Sequence, residues 1–256
     1  MGIFFFNFYF CIRHLFIYVK LVSELNIYTI IVAAGKGERV GFNTPKQYLE
    51  LNNKKLLYYS LNKFTKVDSI KKTFVALSKN DQFFDKEDYS DLSNFEILLC
   101  GGKERSHTIH NALKTINAEK NDWILIHDAA RPFLNIKVLE NLILSIKNQP
   151  ENNGYVVAEK VNSTIKKIKN MHIEKTISRD DIWLAQTPQA FKFKDMIKIY
   201  GKIDNLDKYT DDSSIMENYN IYPKIINSDF MNFKITTSED YQIAKLIAKI
   251  IDAEFL

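Results

Sequence analysis

Apolar residues along the chain fall into short unbroken runs separated by segments of helical periodicity. YTIIVAA (28–34), TFVALS (73–78), FEILLC (95–100), WILIHD (123–128) and GYVVAE (154–159) carry almost no charge and many β-branched or aromatic side chains, as strands buried on both faces do. Between them, ERSHTIHNALKTI sets Ile109, Ala112, Leu113 and Ile116 on one helical face. Near the end, Thr237 or Ser238 followed by Glu239 and Asp240 predicts a helix start, with the helix running through YQIAKLIAKIID. Strands alternating with helices predict βαβ units, hence an α/β fold with a mostly parallel, Rossmann-like sheet that binds ligands at the carboxyl ends of its strands.

The rhythm breaks over residues 158–182, where short alternating runs flank Lys169-Asn170 and predict a hairpin with Lys166, Lys167 and Lys169 on its solvated edge. Exposed strands are a liability unless another chain covers them. Further on, the TPQ of AQTPQAF reads as a turn, and Asp211 and Asp212 in TDDSSIMEN read as helix-start carboxylates.

The first residues, MGIFFFNFYFCIRHLFIYVKLV, are apolar enough to raise a membrane span, but Arg13 and His14 interrupt them. A span needs about 20 apolar residues, and a central arginine costs roughly 2.5 kcal/mol or more, so a membrane anchor is not expected. No basic start and no small-residue cleavage site mark a signal peptide, and Phe6 stands where myristoylation wants a hydroxyl. The expectation is an apolar extension over 1–26, loosely packed or preceding the true translation start, ahead of one domain over 27–256.

Composition narrows the chemistry. At 256 residues, with 46% hydrophobic and 26% charged, the chain is an ordinary globular protein able to bury one large core. Lys and Arg number 35 against 31 acidic residues and are scattered, which suits a small anionic substrate and gives no nucleic-acid footprint. With only Cys11 and Cys100 there is no disulfide framework and no four-cysteine zinc site, so a reducing cytoplasm is the expected setting.

Candidate chemistry begins at VAAGKGERVGFNTPKQY (32–48), which crowds glycines and cations behind the first strand. It is not a Walker A loop, and Val40 stands where a dinucleotide fingerprint needs its third glycine. Small residues Ala33, Ala34, Gly35 and Gly37 at a strand's carboxyl end would still let backbone N–H groups approach phosphate oxygens, with Arg39 and Lys46 supplying charge. Taken alone, Gly-Lys-Gly reads equally well as a solvated turn.

Its company decides. AAGKGERVGFNTPKQYL, GGKERSHTI, HDAARPF, RDDIWLAQTPQAF and NFKITTSED, in this order from Ile27 onward, resemble the 2-C-methyl-D-erythritol 4-phosphate cytidylyltransferase family. The resemblance implies a nucleotidyltransferase-type fold with a protruding β-arm, the substrates CTP and methylerythritol 4-phosphate, Mg²⁺ as cofactor, and in-line attack of a substrate phosphate without a covalent enzyme intermediate. It implies that Arg39 and Lys46 stabilise charge around the α-phosphate and the leaving pyrophosphate. It sets Gly102, Lys103 and Thr108 around the nucleotide base and sugar; the family usually has Ser at the last position. Asp128 is expected near the magnesium and Arg131 on the substrate phosphate. Thr187 is expected to bound the substrate pocket and Lys234 to position the substrate phosphate.

The arm is expected to cross to a second subunit as a homodimer, where Thr164 and Arg179 help hold methylerythritol phosphate. Ser106 and His107 are read as neighbours of the site, His127 as packing. Ribitol 5-phosphate cytidylyltransferases share the PKQ loop and the HDAARP strand, and RDDIW favours methylerythritol phosphate over them. A non-catalytic nucleotide binder is the rival from another class, disfavoured by the retained Arg39, Lys46, Asp128 and Lys234.

Overall fold

The computed structural model describes residues 25–35, 44–203 and 205–253. Elements in chain order are β1 (Ile27–Val32), β2 (Glu50–Leu51), β3 (Lys54–Lys55), α1 (Leu56–Thr65), β4 (Lys72–Leu77), β5 (Phe95–Leu99), α2 (Arg105–Thr115), β6 (Trp123–Asp128), α3 (Ile136–Asn148), β7 (Tyr155–Lys160), β8 (Ile165–Lys169), β9 (His172–Ile177), β10 (Trp183–Lys192), α4 (Phe193–Tyr200), α5 (Asp212–Glu217), β11 (Lys224–Asn227) and α6 (Ser238–Ala253).

Seven strands form one sheet in the order β11-β7-β10-β6-β1-β4-β5. All neighbours run parallel except β10, which is antiparallel to both β6 and β7. The apolar runs explain why: β6 is buried at every position, so it can only be a central strand with helices on both faces. On one face Leu57 and Leu61 of α1 and Leu139, Leu142 and Ile146 of α3 pack on Ile31, Val75 and Leu125. On the other, Ile109 and Leu113 of α2 and Met196 and Ile199 of α4 cover Ile30, Ala76 and Ile126. Each such fully buried Leu or Ile contributes roughly 1.5–3 kcal/mol relative to exposure. A third cluster lies under α6, where Tyr241, Ala244 and Ala248 meet Leu51, Leu56 and Phe133.

Sequence and structure part at TPQ. TPQ is not a free turn: it lies inside β10, whose pairing with β7 shifts register between Ala185 and Gln189 around the cis Thr187–Pro188 bond. Proline has no N–H to give a ladder, and an irregularity is where a strand tolerates it. Lys234 sits in the irregular segment ahead of α6.

The expected hairpin is present as β8–β9, a separate two-stranded sheet, turning through Asn170 (φ 48°) and Met171 (φ 64°). Positive φ at both central residues is the turn geometry that matches strand twist. Of the expected extension over 1–26, residues 1–24 lie outside the described residues, as do Gly37 and Arg39. Among the described residues no helix is long and apolar enough to cross a membrane.

Candidate active site

Because β1, β4, β5 and β6 are parallel, their carboxyl ends open on one edge, and there a cleft of about 760 Å³ is lined by Ala33, Gly35, Lys46, Gly102, Asp128 and Lys234 among others. A groove of about 900 Å³ between α1 and α3 is larger, but it lies away from these strand ends. The chemistry-bearing motifs gather in the smaller cleft.

The wall after β1 is held by Gln47, whose buried Nε2 donates to the Ala33 carbonyl at 2.7 Å. That bond ties residue 33 to the short helical turn Lys46–Tyr48 behind Pro45. Lys46 Nζ in turn donates to the Ile235 carbonyl at 3.3 Å, which brings it to the same wall as Lys234. After β5, the Gly102 N–H donates to Thr108 Oγ1 at 3.0 Å and the Thr108 hydroxyl donates to the Glu104 carbonyl at 3.2 Å. A Cβ on Gly102 would come within 2.4 Å of His107 Cβ, so only glycine lets this turn fold onto α2. Thr108 therefore shapes the turn, and its buried hydroxyl is already spent there.

Asp128, the last residue of β6, is the centre. Arg105 Nε donates to Oδ1 at 2.7 Å, Lys234 Nζ reaches Oδ2 at 2.8 Å, and Arg131 Nε lies 3.8 Å from Oδ2. Burial opposes ionisation of this carboxyl, but Arg105, Lys234 and Arg131 outweigh it and hold it well below the usual carboxylate range. Arg105 also donates from Nη2 to Asp212 Oδ2 at 2.7 Å, and Asp212 Oδ1 accepts from the Tyr200 hydroxyl. Burial disfavours the guanidinium charge, yet Asp212 and Asp128 more than restore it.

Behind Asp128 runs a second chain of bonds. His127 Nε2 lies 3.1 Å from the Arg131 carbonyl, which can only accept, so Nε2 carries the ring proton. Nδ1 then accepts from the Thr187 hydroxyl at 3.1 Å, and Thr187 Oγ1 accepts from the Asp128 N–H at 3.1 Å. Burial pushes His127 down to about 4, keeping it neutral. His127 is thus more than packing: it holds both ends of the Asp128–Arg131 turn.

Several expectations change with this geometry. Thr187 is buried behind Asp128 with its hydroxyl used twice, so it does not face the substrate pocket. Arg131 donates from Nη1 to the Asn232 carbonyl at 2.7 Å and is nearly buried, so it braces the site from outside the cleft lining. Asp211 and Asp212 both stand at the start of α5 as expected, Asp211 capping it by accepting from the Ser214 N–H and Asp212, in its first turn, also pairing with Arg105. Asp128 does not fit a resident metal: both of its oxygens face cations, and among the described residues no three His, Cys, Asp or Glu side chains group together. Thr164 and Arg179 are exposed and absent from the cleft lining of their own chain; Arg179 Nη1 instead donates to the Asn162 carbonyl.

The sequence reading missed Arg105, Gln47 and Asn232. One signal was present for Arg105: a cation in the first turn of a helix opposes the helix dipole and wants an explanation.

With this geometry in hand, comparison with known proteins is direct. The family model for 2-C-methyl-D-erythritol 4-phosphate cytidylyltransferase matches residues 27–249. The chain belongs to this family. A cytidylyltransferase of this family from Petrotoga mobilis is 37% identical over 227 residues, covering 88% of this chain and 99% of the relative. One from Pseudoalteromonas translucida is 36% identical over 226 residues, covering 88% and 92%. The crystal structure of the Francisella tularensis family member superposes with a TM-score of 0.71 at 32% identity, covering 86% of this chain and 99% of the other. That of 4-diphosphocytidyl-2C-methyl-D-erythritol synthase from Anaerococcus prevotii gives 0.77 at 27% identity, covering 90% and 99%. The described fold is thus the cytidylyltransferase family's own α/β sheet.

Proposed function

We propose that this chain transfers the cytidylyl group of CTP to 2-C-methyl-D-erythritol 4-phosphate in non-mevalonate isoprenoid biosynthesis. A phosphate oxygen of the acceptor forms a bond to the α-phosphorus as the bond to the β-phosphate bridging oxygen breaks, releasing pyrophosphate. The observation that carries the reading is the meeting of Lys46 and Lys234, distant in sequence, on one wall of the cleft at the strand ends in a member of this family.

The residues divide the work by position. Gly35 and the turn at Gly102 and Lys103 line the side where a nucleotide triphosphate would lie, with Arg39 and Gly37 assigned there by the sequence motif. Lys46 faces charge developing on the α-phosphate and on pyrophosphate; one such preorganised group is worth about 10²–10³ in rate. Lys234, held by Asp128, meets the acceptor phosphate, so most of the catalysis is positioning and charge neutralisation. Magnesium enters with CTP as part of the substrate, which agrees with a cleft whose carboxylate is already claimed by cations. Thr164 and Arg179 act on the cleft of a second copy, so the working unit is a cytoplasmic homodimer joined through the arm.

The test is pyrophosphate release by the purified protein with CTP and Mg²⁺, with methylerythritol 4-phosphate and ribitol 5-phosphate in parallel. Release with the first and not the second is expected. Release with ribitol 5-phosphate alone would reassign the substrate, and CTP binding without release would make the protein a nucleotide binder.

A further inference from the structure

We propose that Arg105 is a positioning residue for the transfer, bracing itself on Asp212 to fix the Asp128 carboxylate and, through it, Lys234; this rests on the reaction proposed above. The three ion-paired residues come from three elements: Arg105 opens α2, Asp128 ends β6 and Asp212 opens α5. Arg105 spends Nε on Asp128 and Nη2 on Asp212, both at 2.7 Å, so the guanidinium fork spans two carboxylates that do not otherwise touch the same group. Asp212 is fully buried and outside the cleft lining, and its other oxygen is held by the Tyr200 hydroxyl, so it acts on Arg105 and not on a ligand.

The division of the Asp128 oxygens gives the brace its consequence. Arg105 takes Oδ1, leaving Oδ2 to Lys234 at 2.8 Å. Without the fork, the carboxylate is free to rotate toward Lys234 and Arg131 and to draw the lysine out of the cleft. Arg105 also follows directly on the turn at 101–104, so the same side chain keeps the nucleotide wall and the acceptor wall in register.

A lysine can neutralise charge at this position but cannot span both carboxylates, so Arg105→Lys separates geometry from charge. It is expected to stay folded, with a melting temperature near wild type. Its kcat/KM for the acceptor is expected to fall by about tenfold or more while KM for CTP stays within about threefold. The double variant Arg105→Gln with Asp212→Asn removes both charges together and leaves neutral side chains of similar size. It is expected to recover the melting temperature lost by Arg105→Gln alone, yet to keep the deficit toward the acceptor.

Acceptor kcat/KM within about threefold of wild type in Arg105→Lys or in the double variant would overturn the brace and leave Arg105 as charge ballast. A loss falling on KM for CTP would overturn it too, assigning Arg105 to the nucleotide. Absence of turnover in the wild type would overturn the reaction itself, a result distinct from wild-type turnover with undiminished Arg105→Lys.

Discussion

The cleft and the arm are built on opposite principles. Around Asp128, side chains from β6, α2, α5 and the segment before α6 hold one another, and the central carboxylate is buried with its cations in place. In the arm, among the described residues β8 and β9 pair only with each other, with Ile168 50%, Met171 92% and Ile173 64% exposed. Its polar links Lys167–Glu174 at 3.0 Å and Lys166 to Thr176 are surface contacts of the kind worth little. A lone two-stranded hairpin is marginal in water. The cleft is therefore preorganised by its own chain, whereas the arm has the surface of something finished by another molecule.

Four outcomes would break or sharpen that contrast. Asp128→Ala leaves Arg105, Arg131 and Lys234 crowded without their common anion, and such a loss costs about 3–5 kcal/mol. Urea denaturation should show a drop of that size together with loss of turnover. Lys46→Ala should leave the denaturation curve almost unmoved but lower kcat by about 10²–10³; a near-normal rate would remove Lys46 from the mechanism.

His127 gives a pH signature. Its folded value is near 4 and the ordinary value is 6.5. Between them the unfolded chain binds a proton that the folded chain refuses, so stability falls as pH drops from 6.5 to 4, by about 3 kcal/mol in all. Asp128 has the same sign in a lower window: its contribution is present above its unfolded value, near 3.8, and is lost as pH falls from there through a native value well below it. The two windows separate. In His127→Gln, stability measured between pH 4 and 6.5 should lose the histidine's slope, and an unchanged slope would contradict the buried neutral ring.

The arm also predicts only a small effect on stability. Met171→Asp with Ile173→Asp should change the unfolding free energy by less than about 1 kcal/mol, since both side chains are exposed in the single chain. Sedimentation should nonetheless show dimers giving way to monomers. A variant that stays dimeric would move the interface elsewhere.

The sequence made the sheet legible because buried parallel strands write themselves as apolar runs: β6 was read as Trp123–Asp128, and the structure places it there. The hairpin at Lys169-Asn170 and the helix start at Thr237 or Ser238 are equally local signals. Thr187 and Arg131 were harder, because whether a polar side chain faces the cleft or backs it depends on bonds to residues far along the chain, His127 and Asn232. Arg105 was missed for the same reason, since Asp128 and Asp212 become its neighbours only after folding. Asp211 and Asp212 look alike in sequence, yet one caps α5 and the other holds a guanidinium.

The most direct test of a self-built cleft completed by a partner's arm is to mix two variants. Lys46→Ala protomers keep a sound arm and lose the cleft, whereas Arg179→Ala protomers keep the cleft and lose the arm. Each alone should release little pyrophosphate. After subunit exchange, half of the dimers are mixed and each has one intact pairing, so about a quarter of wild-type activity should return. A mixture as inactive as its components would contradict the account.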